Sequence, residues 1–388
     1  MGFFLPYSHL EHLKSYKYQS EDRSLVTKYV LKPFWIQFAQ IFPIWMAPNV
    51  VTLSGLFFVI VNLLTVFYYD PLLESDLPSW AYYSFALGLF LYQTFDACDG
   101  LHARRTGQSG PLGELFDHCC DALNTTLSGL VFASVIGTGY GWGLIIVQFA
   151  TLANFYLSTW EEYHTHTLFL SEVSGPVEGI LGLVFAFIAT GWFGPDFWKA
   201  ELFVLDLGFI GVGQIDVDVT LFVFTLCAVG LYFNIHSAAR NVANYYKDSA
   251  KSNEAYTGIL PFFIYYASVF GWLAYNPEII YTCPLPFILT IGLTMAFSVG
   301  RIIIGHLTKQ EFPWSNPSSY IPLVQFVVYN LLTLGLGYDG VSITKDLIWT
   351  GFGLSLGFYM LFILEIIFEI TQYLDIYTLS IKHPKKFD

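Results

Sequence analysis

Ten separate runs of mostly apolar residues, each 18–22 residues long, divide this chain: near 50–68, 79–96, 119–138, 142–160, 176–193, 219–236, 258–275, 285–304, 320–337 and 347–368. A helix rises about 1.5 Å per residue, so each run matches the roughly 30 Å hydrocarbon core of a bilayer. Backbone inside lipid must satisfy its own hydrogen bonds, so such runs are read as helices. The expected fold is all-α, a polytopic membrane protein of about ten transmembrane helices. The composition, 55% hydrophobic and 12% charged, excludes an ordinary soluble domain. The first 44 residues hold no apolar core followed by a small-residue cleavage site, so no cleaved signal peptide is expected. The five cysteines form no CxxC pair, and neither a disulfide framework nor a zinc site is expected.

The net charge of −13 hides a segregation of signs. With both termini cytosolic, the N-terminal segment carries Lys14, Lys17, Arg23, Lys28 and Lys32. Loops and helix ends on the same side carry Arg104, Arg105, Arg240, Lys247, Lys251, Arg301 and Lys309, and the tail carries Lys382, Lys385 and Lys386. That is 15 of 17 basic residues; only Lys199 and Lys345 fall opposite. The positive-inside rule favours this topology. The opposite face is acidic, with Asp70, Glu74, Asp76, Asp196, Asp206, Asp216, Asp218 and Glu278. Residues 24–47 mix lysines with Phe34, Trp35, Ile36, Phe38 and Trp45, which suits a helix lying in the cytosolic interface. A polar break over 238–257 divides the chain. Its parts are an N-terminal segment (1–47), a six-helix core (48–250) and a four-helix C-terminal region with a tail (251–388).

Four aspartates mark the second and third spans. They fall in Asp96-Ala-Cys-Asp99-Gly100-Leu-His-Ala103-Arg104 and, after eight residues, Gly113-Glu-Leu-Phe-Asp117-His-Cys-Cys-Asp121. Asp96 and Asp99 are three apart and Asp117 and Asp121 four apart, so each pair shares a helix face. Two such helices side by side aim four carboxylates at one spot. One carboxylate in a bilayer costs roughly 2.5–3.5 kcal/mol, and four unpaired ones on the order of 10 kcal/mol. Cations must therefore share the site, and hard divalent ions prefer carboxylate oxygens. Asp96, Asp99 and Asp117 are the expected ligands of a pair of hard divalent ions, Mg²⁺ or Mn²⁺. Gly100 and Gly113 would let a phosphate or ribose approach the backbone, or serve helix packing. Ala103 reads as a clearance residue. Arg104 presents a fork of donors for phosphate, and Arg105 reads as a surface charge that sets topology. Glu114 either pairs with Arg104 or is a plain interfacial charge; contact with a nucleotide is what the family resemblance below implies.

The spacing D-x2-D-G-x2-A-R-x8-G-x3-D-x3-D resembles the signature of the CDP-alcohol phosphotransferase family at every fixed position. The flanking Ala103-Arg-Arg-Thr-Gly107, Pro111-Leu-Gly-Glu-Leu-Phe-Asp-His118 and Ala47-Pro-Asn49-Val-Val-Thr52 resemble its fungal-like choline and ethanolamine phosphotransferase branch. The resemblance implies transfer of phosphocholine or phosphoethanolamine from CDP-choline or CDP-ethanolamine to diacylglycerol, with CMP released. It implies an endoplasmic reticulum or Golgi membrane, a homodimer, a six-helix core and four added helices; no nucleic-acid partner is expected. Asp121 is then either a fourth metal ligand or a general base. Asn49 resembles a position near the nucleotide, although a helix cap would explain it too.

The acceptor hydroxyl must lose a proton. His306, in Gly305-His-Leu-Thr-Lys-Gln-Glu311, resembles the histidine of an HxTK stretch in this branch and is the expected base, with His236 competing. His102 and His118 read as supporting or surface residues, and His164 and His166 as weak substrate contacts. Aromatic faces attract a quaternary ammonium, so Trp160 and Tyr163 with Glu161 or Glu178 form a candidate headgroup cage. A belt of interfacial aromatics explains them equally well. Relatives using inositol or glycerol phosphate as acceptor are typically shorter, near six spans. A divalent-cation transporter would place its acids near the midplane of repeated halves, and this chain shows no repeat.

Overall fold

The computed structural model describes residues 2–22, 24–170, 175–206 and 213–384. Arg23, Lys385 and Lys386, counted above among the cytosolic charges, lie outside the described residues. The N-terminal segment holds a 3-10 helix, Tyr7–Ser15, a short strand β1, Ser20–Asp22, and a π-helical turn, Thr27–Leu31. That turn runs into helix α1, Lys32–Phe38. The helices of the front half are α2 (Pro48–Tyr69), α3 (Ser79–Thr106), α4 (Pro111–Ile136), α5 (Trp142–Thr165), α6 (Pro176–Phe193) and α7 (Val219–Tyr246). The back half adds α8 (Ser249–Thr257), α9 (Leu260–Tyr275), α10 (Glu278–Thr282), α11 (Pro284–Thr308), α12 (Ile321–Asn330) and α13 (Gly340–Leu374). Strand β2, Leu168–Leu170, pairs in parallel with β1. Strands β3, Glu201–Asp206, and β4, Gln214–Asp218, form an antiparallel pair between α6 and α7.

Local sequence sets these boundaries. Proline opens α2, α4, α6, α9, α11 and α12, where its missing N–H costs nothing. Asp218 and Asp339 cap α7 and α13 by accepting from Leu221 N (2.7 Å) and Ser342 N (2.8 Å). Among the described residues, eight helices are long and apolar enough to cross a membrane. The protein is an all-α polytopic membrane protein, and all ten apolar runs lie in helical segments. Two of the ten fall short of a span by length or hydropathy. α3 has the length, but its apolar stretch is built from Trp, Tyr, Ser and Gly more than from aliphatic residues. The run at 320–337 breaks after α12 into a π-helical turn, Leu331–Gly335, and ends at Gly337 with φ 72°.

α11 is the interior helix, packed against α4, α5 and α13. Its glycines permit the approach: a Cβ on Gly300 would lie 2.6 Å from Phe362 Cε1, and one on Gly292 2.5 Å from Thr126 Oγ1. One continuous core runs from Leu56 of α2 to Ile348 of α13, so the front and back halves bury their apolar faces against each other. The site residues gather at one end of this bundle. At the other end Asp70, counted in the sequence among the acidic surface charges, is buried. Its carboxylate accepts from Glu74 N (2.8 Å), Ser75 N (3.0 Å) and Ser134 Oγ (2.5 Å), stitching the α2–α3 loop to α4.

Candidate active site

The turn between α3 and α4 creates the site. Gly107 adopts the left-handed conformation, φ 71°, and ends α3; Gly110 is extended and Pro111 starts α4. The chain thus reverses at once and lays the two aspartate-bearing helix ends side by side. One carboxylate oxygen from each of Asp96, Asp117 and Asp121 lies within 4.8 Å of the others. Asp96 Oδ1 and Asp117 Oδ1 are buried with no hydrogen-bond partner. Among the described residues no lysine or arginine pairs with any of the three. Buried, orphaned carboxylate oxygens at this spacing fit a hard divalent cation. Asp121 Oδ1 also accepts from the Tyr92 hydroxyl. Asp99 stands aside from this group of three, its Oδ2 accepting from the Thr52 hydroxyl of α2. Tyr92 and Thr52 carried no assigned role in the sequence; their contacts cross helices and leave no local signature.

The motif glycines face open space. A Cβ on Gly100 would meet only Arg104 Nη1 at 3.6 Å, and one on Gly113 only Asn49 Oδ1 at 3.9 Å. The contrast with Gly292 and Gly300 speaks for clearance rather than helix packing. Asn49 is buried, and its Nδ2 donates to Thr378 O of the C-terminal tail (3.0 Å). Gln108 Nε2 donates to His383 O (3.1 Å), so the tail lies over this end of the bundle. Ala103 is half-buried, its carbonyl accepting from Gln108 N (2.8 Å), and Arg104 is exposed beside Gly100. Arg105 does more than carry a surface charge. It donates to Ala39 O (2.8 Å), Gln40 Oε1 (3.0 Å) and Phe42 O, clamping the end of the α1 region onto α3.

A second cluster adjoins the aspartates. Glu114 and His118 share a face of α4, and Glu162 reaches them from α5; one donor atom of each lies within 4.8 Å of the others. The side chains are 4%, 8% and 3% exposed. His118 Nε2 is 3.4 Å from Glu162 Oε2, and Glu114 Oε1 is 4.0 Å from His306 Nε2. The Tyr16 hydroxyl of the N-terminal segment donates to Glu114 Oε2. Burial, then the Glu114 carboxylate, holds the Tyr16 phenol above its ordinary range, so it remains a donor. His306 Nδ1 lies 3.2 Å from His166 Nδ1, so one of the two must carry the proton. Burial, then the Lys309 charge, pulls His166 below the usual imidazole value. Glu162 was not singled out from sequence, although an acidic pair inside an apolar helix is itself a functional signal.

The proposed aromatic cage is not brought together. Trp160 is fully buried, its Nε1 donating to Ala255 O (2.9 Å), and Tyr163 donates to Gln310 O (2.7 Å). Glu161 Oε1 accepts from Asn241 Nδ2 (2.6 Å), and Glu178 Oε1 accepts from Ser24 Oγ (2.5 Å) near the N-terminal segment. These groups hold helices and loops to one another. His236 is exposed on α7 and stacks on Tyr232, while His102 Nε2 meets Met46 O (2.8 Å) and His164 Nδ1 meets Tyr246 Oη (3.0 Å).

Residues 45–205 match the model of the CDP-alcohol phosphatidyltransferase family. The chain is 55% identical to choline/ethanolaminephosphotransferase 1 of Saccharomyces cerevisiae, over 99% of this chain and 100% of the relative. It is 51% identical to cholinephosphotransferase 1 of the same yeast, over 100% of both. Choline/ethanolaminephosphotransferase 1 of Arabidopsis thaliana is 36% identical, over 95% of this chain and 96% of the relative. An intact aspartate motif, with three of its four carboxylates in one cluster, and full-length similarity agree: this chain belongs to the CDP-alcohol phosphatidyltransferase family.

Proposed function

We propose that this membrane enzyme transfers phosphocholine, phosphoethanolamine or both from the CDP-alcohol to 1,2-diacylglycerol, giving the phospholipid and CMP. The observation that carries this reading is the Asp96–Asp117–Asp121 cluster with its orphaned oxygens, in a chain similar end to end to relatives named for those transfers. Asp96, Asp117 and Asp121 would hold Mg²⁺ or Mn²⁺, and Asp99, which accepts from Thr52, would be the further ligand for a pair of ions. An ion bound there would supply positive charge against the pyrophosphate and the departing CMP oxygen. Gly100 and Gly113 leave room for the nucleotide diphosphate, Asn49 borders it and Arg104 grips a phosphate. With Asp121 committed to the carboxylate cluster, His306 takes the diacylglycerol proton, and the freed oxygen attacks the β-phosphorus opposite the departing CMP.

The catalytic core is assigned to residues 48–250, which hold all but the first three residues of the 45–205 family match, and the helices of 251–388 contribute His306 through α11. The site faces the cytosol of the endoplasmic reticulum or Golgi, in keeping with the lysines and arginines at that end. The active form is a homodimer. Gly353 and Gly357 leave a bare stripe on α13 that a Cβ would not fill against this chain. Mass photometry in nanodiscs should read two copies per particle; single copies that remain active would remove the dimer from the proposal.

The reaction itself is tested by CMP release from the purified full chain in nanodiscs with Mg²⁺, comparing both donors with and without diacylglycerol. Release that requires diacylglycerol is the expected result. Release independent of it, or none with either donor, overturns the assignment.

A further inference from the structure

Strands β3 and β4 lie between α6 and α7, at the end of the bundle opposite the carboxylate cluster. Their base is fixed. The 3-10 turn Pro195–Lys199 buries Trp198, whose Nε1 donates to Thr190 Oγ1 of α6 (2.8 Å) and whose carbonyl accepts from Thr220 Oγ1 of α7 (2.9 Å). Val219 N donates to Ala200 O (3.2 Å), so both strands start from one rigid foot. Past that foot the described residues leave β3 exposed at all six positions. Phe203 pairs with Val217 and Leu205 with Ile215. Side chains alternate along a strand, so these four form one wholly apolar face. Asp206, Gln214 and Asp216 all fall on the other face, with Leu202 and Val204. Val217 is buried at the base, so the apolar face is the one turned to the helix ends. Phe203 and Leu205, 50% and 43% exposed, carry it outward past them.

An isolated two-stranded pair is marginal in water, and an exposed apolar face marks a contact. The surface that this face continues belongs to membrane-spanning helices: Trp192 and Phe193 of α6 and Leu221 and Phe222 of α7 are exposed at the same end. We propose that β3 and β4 form a membrane anchor, with Phe203, Leu205 and Ile215 seated in the leaflet remote from the aspartates and Asp206 and Asp216 turned to water. The edge N–H and C=O groups of two strands find no partners in hydrocarbon, which limits the depth. The pair therefore rests at the headgroup–acyl boundary, about 5–10 Å deep, as other amphipathic segments do. Four side chains offer far less than the roughly 800 Å² per partner of a stable protein interface, which favours lipid over a second copy. The anchor has a helix to hold. Of the 28 residues of α7 only Val219, Ala238 and Val242 are buried, so its far end is positioned by the strand pair more than by packing.

The test is spin-label accessibility in nanodiscs, which needs no turnover and is independent of the transfer reading. Cys227→Ser removes the exposed thiol of the full chain; the other four cysteines are buried. A nitroxide is then placed by Leu205→Cys on the apolar face or by Gln214→Cys on the polar one. Collisions with O₂, which concentrates among acyl chains, are compared with collisions with a water-soluble nickel chelate. The O₂-to-nickel ratio at 205 should exceed that at 214 by at least about threefold. Phe203→Cys and Asp216→Cys repeat the comparison on the same two faces and serve if a variant of the first pair folds poorly. Equal ratios dominated by nickel would mean that the strands stand free in water, and would overturn the proposal. Protection of position 205 from both reagents would mean that a protein surface covers the apolar face, and would overturn it as well.

Discussion

Asp117→Asn is expected to lower CMP release by on the order of 10³-fold, and to do so without unfolding the protein. Asp117 Oδ1 is a buried oxygen with no partner, within reach of Asp96 and Asp121. Asparagine keeps the volume and removes one of three like charges packed within 4.8 Å. It also offers an N–H to the orphaned Asp96 oxygen. The thermal midpoint without divalent ions should therefore equal or exceed that of the wild type, the usual trade between a strained site and stability. Added Mg²⁺ should raise the wild-type midpoint by mass action and leave the variant's almost unmoved. Two measurements check this: initial rates at saturating donor, and melting curves with and without Mg²⁺. A variant that keeps its Mg²⁺-dependent stabilisation would remove Asp117 from the ligand set.

His306→Ala should cut kcat by roughly 10²–10⁴-fold while CDP-choline affinity changes little. His306 closes α11, and its polar neighbours are Glu114 and His166 rather than the aspartate cluster. Its loss therefore removes a proton acceptor and leaves the carboxylate cluster whole. The decisive comparison sets kcat against equilibrium binding of CDP-choline in the same nanodiscs. Parallel losses of both would mean that His306 holds the donor and would return the base role to Asp121.

The site was legible wherever its geometry is local. Asp96, Asp117 and Asp121 converge because helix spacing puts them on facing sides of a hairpin, and Gly107 with Gly110-Pro111 announces that hairpin in the sequence. The ten apolar runs were legible for the same reason, since a span is a property of consecutive residues. Contacts between distant segments were not. Nothing near Glu162 announces that His118 lies 3.4 Å away on the preceding helix, or that Tyr16 reaches Glu114 across 98 positions. Trp160 and Tyr163 misled in the opposite direction. Aromatic residues near an acid suit a cage by type, but the Trp160 ring is fully buried and stacked on Tyr256, and the Tyr163 ring packs edge-on against His164 and Phe312. The π-helical break after α12 had only Gly335 and Gly337 as signals, and isolated glycines in apolar helices are common.

Both ends of the chain are woven into the bundle. Phe4 N and Leu5 N donate to Glu365 Oε1 of α13 at 2.6 and 3.2 Å, and the Phe4 ring packs edge-on against Phe297 and Phe362. At the other terminus Thr378 supplies the carbonyl that Asn49 binds. The surface on which Phe4 and Leu5 dock is made 361 and 360 positions after them. The nascent chain must therefore hold its N-terminal segment undocked, with Phe4 and Leu5 at large, until α13 has left the translocon. Tyr16 belongs to that segment, so its hydrogen bond to Glu114 forms only once the segment has docked. Docking of this segment is thus tied to synthesis of α13, and a chain stalled before α13 leaves it undocked although every aspartate of the motif has long been made.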